Sequence, residues 1–299
     1  MATTTEYLRE HRERHLRELL DFLRIPSVSA RSEHTEDTRR AAEWLVERMK
    51  EAGLQSAESI ATGGHPIVIG EWRGAPEGAP TLLVYGHYDV QPAEPLDEWH
   101  SPPFDPEIRD GKLFARGSVD DKGQMYLHLK AVEAHIATRG TLPVNVVFVV
   151  EGEEEVGSPN LNAFLQENHD RLRCDAVLVS DTTMFAPGIP SINVGLRGLA
   201  YMEVRVQGPA TDLHSGGYGG AVVNPANTLA QIIARLHDAR GRVAIPGFYD
   251  DVRDLTPEER QAIRDLPFEE EVLRAEVGAP ALGGEEGWSA LERIGARPT

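Results

Sequence analysis

Short runs of nearly continuous Val, Leu and Ile punctuate the first two thirds of the chain: PIVIGEW at 66–72, TLLVYG at 81–86, VNVVFVV at 144–150 and AVLVSD at 176–181. Runs without polar alternation predict strands buried on both faces, as in a mostly parallel sheet flanked by helices. Helical periodicity fills the gaps. Residues 4–24 place Leu8, Leu16, Leu19, Leu20 and Leu23 towards one face and stop before Pro26. A second helix is expected over about 36–52, with Ala41, Leu45, Val46 and Met49 inward and Gly53 at its end, and a third from about Lys122 to Thr138. The fold class is therefore α/β. After Pro190 the pattern changes: LRGLAYMEVRVQG alternates as a half-exposed antiparallel strand would, and NPANTLAQIIARLHDARG, 224–241, predicts an amphipathic helix closed by Gly241. TPEERQAIRDL and EEEVLRAEVG carry weaker helical signals. A boundary near Ile192 gives an α/β domain over 1–191 and the beginning of an α+β domain over 192–299, without an evident closing element.

Composition narrows the class. The longest apolar run, VNVVFVV, is far too short to cross a bilayer, so no membrane span is expected. A formal charge of −18 argues against nucleic acid or an anionic membrane as partner, since both need positive surface. Cys174 is the only cysteine, which excludes an intrachain disulfide; residues 1–20 also lack the apolar core and cleavage site of a secretory signal. The expectation is a cytoplasmic protein in which Cys174, just before DAVLVSD, is an inert core residue.

The candidate chemistry follows the apolar runs. His87 and Asp89 follow TLLVY, Asp120 and Asp121 precede a helix in ARGSVDDKG, Glu151, Glu153, Glu154 and Glu155 follow VNVVFVV, and Asp181 closes AVLVSD. Ligands of open parallel sheets bind at the carboxyl ends of strands, and carboxylates converging there must be paired, protonated or metal-bound. One histidine with several carboxylates suits zinc, manganese or cobalt. Two such ions sharing a water make a nucleophile near neutral pH, and an uncoordinated carboxylate can take its proton. EGEEEVGS can supply both a ligand and a base; composition leaves open which glutamate does which. Neither a phosphate-binding GxxxxGK[ST] loop nor a GxSxG nucleophile elbow occurs.

Five spaced motifs support a resemblance. GHYDVQP, WHSPPFDPEIRDGKLFARGSVDDKG, EGEEEVGS, LVSD and DLHSGGYGG, in that order, resemble the dinuclear metallopeptidase family of carnosinase, glutamate carboxypeptidase and the N-acyl amino acid deacylases. DLHSGGYGG and VAIPGFYDDV look most like its carnosinase-type cytosolic dipeptidases. The resemblance implies that His87, Asp120 and Asp181 bind one metal, that Asp120 bridges to a second held partly by Glu155, and that Glu154 is the general base. Asp89 would orient the His87 ring. A cis bond between Asp120 and Asp121 is also implied. His214 matches the family's lid histidine, which in dimeric relatives reaches the partner's active site; a homodimer through the lid domain is implied with it.

One departure stands against these matches. Family members continue well beyond a point like Thr299, where they carry the second metal's histidine and an arginine for the substrate carboxylate; His100, His128, His135 and His169 lie away from the expected strand ends. The chain therefore reads as the N-terminal part of such an enzyme. The expected activity is hydrolysis of dipeptides or short peptides through a metal-bridging water. The alternatives are hydrolysis of N-acyl or N-carbamoyl amino acids, or a catalytically impaired fragment.

Overall fold

The computed structural model describes residues 3–193 and 195–298. The chain divides into two compact units, the first ending at Pro190 and the second starting at Ser191. The first opens with α1 (Thr4–Glu10), α2 (Arg12–Leu23) and α3 (Thr35–Glu51). The single helix expected over 4–24 is thus two, broken at His11, whose φ of −96° and ψ of 10° depart from helical values. Strands β1 (Ser56–Ile60), β2 (Ile67–Trp72), β3 (Thr81–His87), β4 (Glu107–Arg109) and β5 (Lys112–Phe114) follow. Then come α4 (Lys122–Arg139), β6 (Asn145–Glu151), α5 (Leu161–Glu167) and β7 (Ala176–Val179).

Five strands form one sheet in the order β1-β2-β6-β3-β7. The β6–β3 and β3–β7 pairings are parallel, whereas β1–β2 and β2–β6 are antiparallel, so the sheet is mixed. The short connection from β1 to β2 permits only an antiparallel hairpin, while β3, β6 and β7 are joined by long crossovers. β4 and β5 form a separate hairpin.

Alternate residues of β6 point to opposite faces of the sheet. Phe148 and Val150 join Leu45, Met49, Met125 and Leu129 in one core; Val147 and Val149 join Ile67, Ile69, Leu83 and Phe164 in another. Helices α3 and α4 thus cover one face and α5 the other. Covering both is why VNVVFVV lacks alternation. Full burial of a side chain such as Phe148 contributes about 2 kcal/mol or more.

Helices α1 and α2 reach α4 through a polar network. The buried Glu133 carboxylate accepts from Tyr7 (3.0 Å), from the Arg14 guanidinium and from Lys130 Nζ (2.6 Å). Lys130 also pairs with Glu18 at 2.5 Å. Burial alone would raise the Glu133 carboxyl, but the hydrogen bonds from Arg14 and Lys130 outweigh it and hold it at about 2. A folded-state value below the ordinary 4.5 means this stabilisation is complete above about pH 4.5 and is lost as pH falls towards about 2. Glu133→Gln is therefore expected to unfold about 2 kcal/mol more easily at neutral pH, with the gap closing on acidification. Urea unfolding of both proteins across that range checks it; a gap independent of pH would remove Glu133 from the acid response.

The second unit holds α6 (Ser215–Tyr218), α7 (Pro225–Ala234), α8 (Pro257–Arg264), α9 (Glu270–Glu276) and α10 (Ala290–Ala296). Asn224 caps α7 by accepting from the Ala226 amide, but the helix ends at Ala234. Gly241, with φ of +69°, instead occupies a turn between the bridged residues His237 and Val243. The strand expected in LRGLAYMEVRVQG is not formed: Leu196, Leu199, Tyr201 and Met202 are 78–91% exposed. Alternation supplies a face, but a strand also needs a neighbour for its backbone groups, and among the described residues none pairs there. Cys174 is exposed, correcting the expected core placement; it precedes β7, an edge strand with little covering it. No helix among the described residues is long and apolar enough to cross a membrane.

Candidate metal centre

The parallel pairing of β3 with β6 sets His87 opposite Glu151, and β3 with β7 sets Tyr85 opposite Val179. Three strands therefore end side by side, and the acidic segments that follow them converge. His87 is fully buried; its Nε2 lies 3.1 Å from Asp120 Oδ1 and 3.6 Å from Asp181 Oδ2. Two groups have ligand atoms within 4.8 Å of one another: His87 with Asp120 and Asp181, and His87 with Glu154 and Glu155. The histidine belongs to both.

Asp89 is buried beside this histidine. Its backbone carbonyl lies 3.0 Å and its Oδ1 3.3 Å from His87 Nδ1. The same carboxylate accepts from the backbone amides of Glu154 (3.2 Å) and Glu155 (3.1 Å). One side chain thus couples the imidazole to the acidic turn. Glu151, also buried, accepts from Tyr85 (2.5 Å) and Ser158 (2.8 Å), bracing the turn from the sheet side. Gln91 donates to the Glu155 carboxylate at 2.8 Å.

The sequence pairs Asp121 with Asp120 and marks Lys122 as the start of a helix, but leaves the contacts of both open. The Asp120–Asp121 peptide is cis, as the resemblance implies. Asp121 Oδ2 accepts from the His87 amide at 3.1 Å, passing so near Gly86 that a Cβ there would lie 2.6 Å from it. Only glycine leaves that space. Its other oxygen is buried without a hydrogen-bond partner. Lys122, the first residue of α4, is completely buried and donates to the carbonyls of Ile25 (2.7 Å) and Phe22 (3.2 Å) at the end of α2. His214 lies in the second unit, exposed, immediately before α6.

The electrostatics show a surplus of negative charge. Burial alone would lower the His87 imidazolium, but Asp89, Asp121 and Asp181 overcome it and hold the ring protonated up to about 10. Burial pushes Asp121 up to about 7, with His87 opposing and the neighbouring aspartates adding to the rise. Burial likewise raises Glu154, Glu155 and Asp181. A divalent cation relieves this arrangement by replacing the proton on His87 and neutralising the acids. The donor set of one imidazole with carboxylate oxygens from Asp120, Asp181, Glu154 and Glu155 fits such an ion.

The profile of Peptidase family M20/M25/M40 matches residues 83–283. The Cys-Gly metallodipeptidase DUG1 of Candida albicans is 33% identical over 93% of this chain and 63% of its own length. Human Beta-Ala-His dipeptidase is 36% identical over 70% of this chain and 41% of its own length. Among solved structures, the M20 family metallo-carboxypeptidase Sso-CP2 of Sulfolobus solfataricus superposes with a TM-score of 0.74 at 35% identity, covering 95% of this chain and 64% of that one. The chain thus spans less than two thirds of the length of these relatives. With the match running from the strand that ends in His87, across the acidic segments and into the second unit, the chain belongs to Peptidase family M20/M25/M40.

Proposed function

We propose that the chain carries the metal-binding part of a hydrolase that cleaves the peptide bond of dipeptides or short peptides, using two divalent ions, zinc foremost. The observation that carries this reading is the convergence of His87, Asp120, Asp181, Glu154 and Glu155 at adjacent strand ends. His87, Asp120 and Asp181 hold one ion; Asp120 and Glu155 reach the second. When bound, the ions polarise the scissile carbonyl and make water acidic enough to attack it near neutral pH.

The remaining chemistry belongs to side chains. Glu154 takes the proton of the attacking water and returns it to the departing amine; burial raises its carboxyl towards the range in which it can do both. Gln91 restrains Glu155 in a fixed orientation suited to a ligand. Asp89 orients His87 while holding the Glu154 and Glu155 amides, keeping ligand and base in register. His214, brought by the lid of a second copy in a homodimer, stabilises the developing oxyanion. A cytoplasmic setting suits such a peptidase.

A second reading, a metal-binding chain with impaired catalysis, is favoured by one observation: among the described residues, His87 is the sole histidine in either ligand group. Zinc- or manganese-loaded protein should hydrolyse unblocked dipeptides and leave N-acetyl and N-carbamoyl amino acids intact. The reverse preference would make it an amidohydrolase of the same family. Metal binding without hydrolysis of any of these would establish the second reading.

A further inference from the structure

We propose that His128 is a positioning residue for Asp181: through Ser180 it ties the end of β7 to α4 and so sets how closely Asp181 approaches His87. The inference rests on the metal-centre reading above. Its starting point is that Asp181 lies beyond the end of an edge strand. Among the described residues β7 pairs with β3 alone, its residues Ala176, Val177 and Val179 are exposed, and the ladder stops at Val179. Asp181 lies two residues beyond, yet its Oδ2 is held 3.6 Å from His87 Nε2.

What fixes that segment comes from α4. His128 Nε2 and Ser180 Oγ share a hydrogen bond at 2.5 Å, joining positions 52 residues apart. Apart from the His87 contact itself, it is the only side-chain hydrogen bond or ion pair that the described residues make to 180–183. The other end of the brace is rigid: α4 begins at the buried Lys122, directly after Asp120 and Asp121, and packs Met125 and Leu129 into the core. His128 therefore joins the element that starts beside Asp120 to the one that ends beside Asp181. Ligands on separate elements keep a usable spacing only if those elements are tied together, and partners of this kind typically set metal affinity by one to two orders of magnitude.

The test uses the full chain and zinc competing with a chromophoric chelator. His128→Ala is expected to lower zinc affinity about tenfold, and His128→Gln, whose amide can still reach Ser180, to restore most of it. In an Asp181→Asn background His128→Ala should cost nothing further, because the residue acts only through Asp181. Unchanged affinity in His128→Ala, or an equal loss in both backgrounds, would overturn the proposal. A second comparison needs no metal: hydrogen exchange of the peptide covering 176–183 should accelerate in His128→Ala and stay parental in His128→Gln. Unchanged exchange in His128→Ala overturns the placement, whereas a parent that binds no zinc but shows the exchange difference overturns only the metal-centre reading.

Discussion

Glu154→Gln is expected to bind zinc as the parent does and to lose about a thousandfold in kcat on any dipeptide the parent cleaves. The substitution keeps the size of the side chain and removes its ability to carry a proton. The two adjacent glutamates are distinguished by their restraints. Gln91 donates to the Glu155 carboxylate at 2.8 Å, whereas among the described residues no hydrogen bond is made to the carboxylate of Glu154. A carboxylate that must accept and release a proton needs that freedom; a ligand benefits from being fixed. Kinetics and metal content measured on the same preparation check the assignment. Near-parental kcat would move the base role elsewhere, and loss of metal would make Glu154 a ligand instead.

His87→Ala is the second large effect. Because His87 is the only imidazole beside Asp120 and Asp181, its removal is expected to lower affinity for the ion those three hold at least a hundredfold, while the ion reached by Asp120 and Glu155 is affected less. The Asp121 carboxylate bonds to the backbone amide of residue 87, so that contact survives the substitution and the loop keeps an anchor. Elemental analysis after dialysis distinguishes the outcomes. Loss of one ion would support the assignment, loss of both would show that the second ion depends on the first, and unchanged content would remove His87 from the ligand list.

The sequence is most informative where burial is two-sided and chemistry is local. β6 reads as a strand because both faces of Phe148 and its neighbours are covered, and the acidic segments stand out because each follows such a run. β1 does not read as a strand: SAESI buries only Ala57, so the edge leaves no apolar pattern. The contacts of Asp121, Gln91 and His128 escape for a different reason. Their partners, His87, Glu155 and Ser180, lie 34, 64 and 52 residues away, and no local pattern encodes the approach. Asp89 was legible as a neighbour of His87, but its grip on the amides of the acidic turn depends on the pairing of β3 with β6. The segment 196–208 shows the converse: its alternation is local, but the partner a strand requires is not.

The buried Lys122 bears on how such a centre could be reused. An ammonium group in an apolar interior is tolerable only with acceptors, and its hydrogen bonds go to the Phe22 and Ile25 carbonyls at the end of α2. Burial already pulls this amine down to about 7, so a designer who transplanted the strand ends and the DDKG segment onto another sheet would import a buried amine without its acceptors, at a cost of about 1–3 kcal/mol. The graft would have to bring residues 22–25 along or replace Lys122 with an apolar residue. This metal chemistry is therefore not a set of portable motifs: the loop that presents Asp120 is built into the same structural unit as the first two helices of the chain.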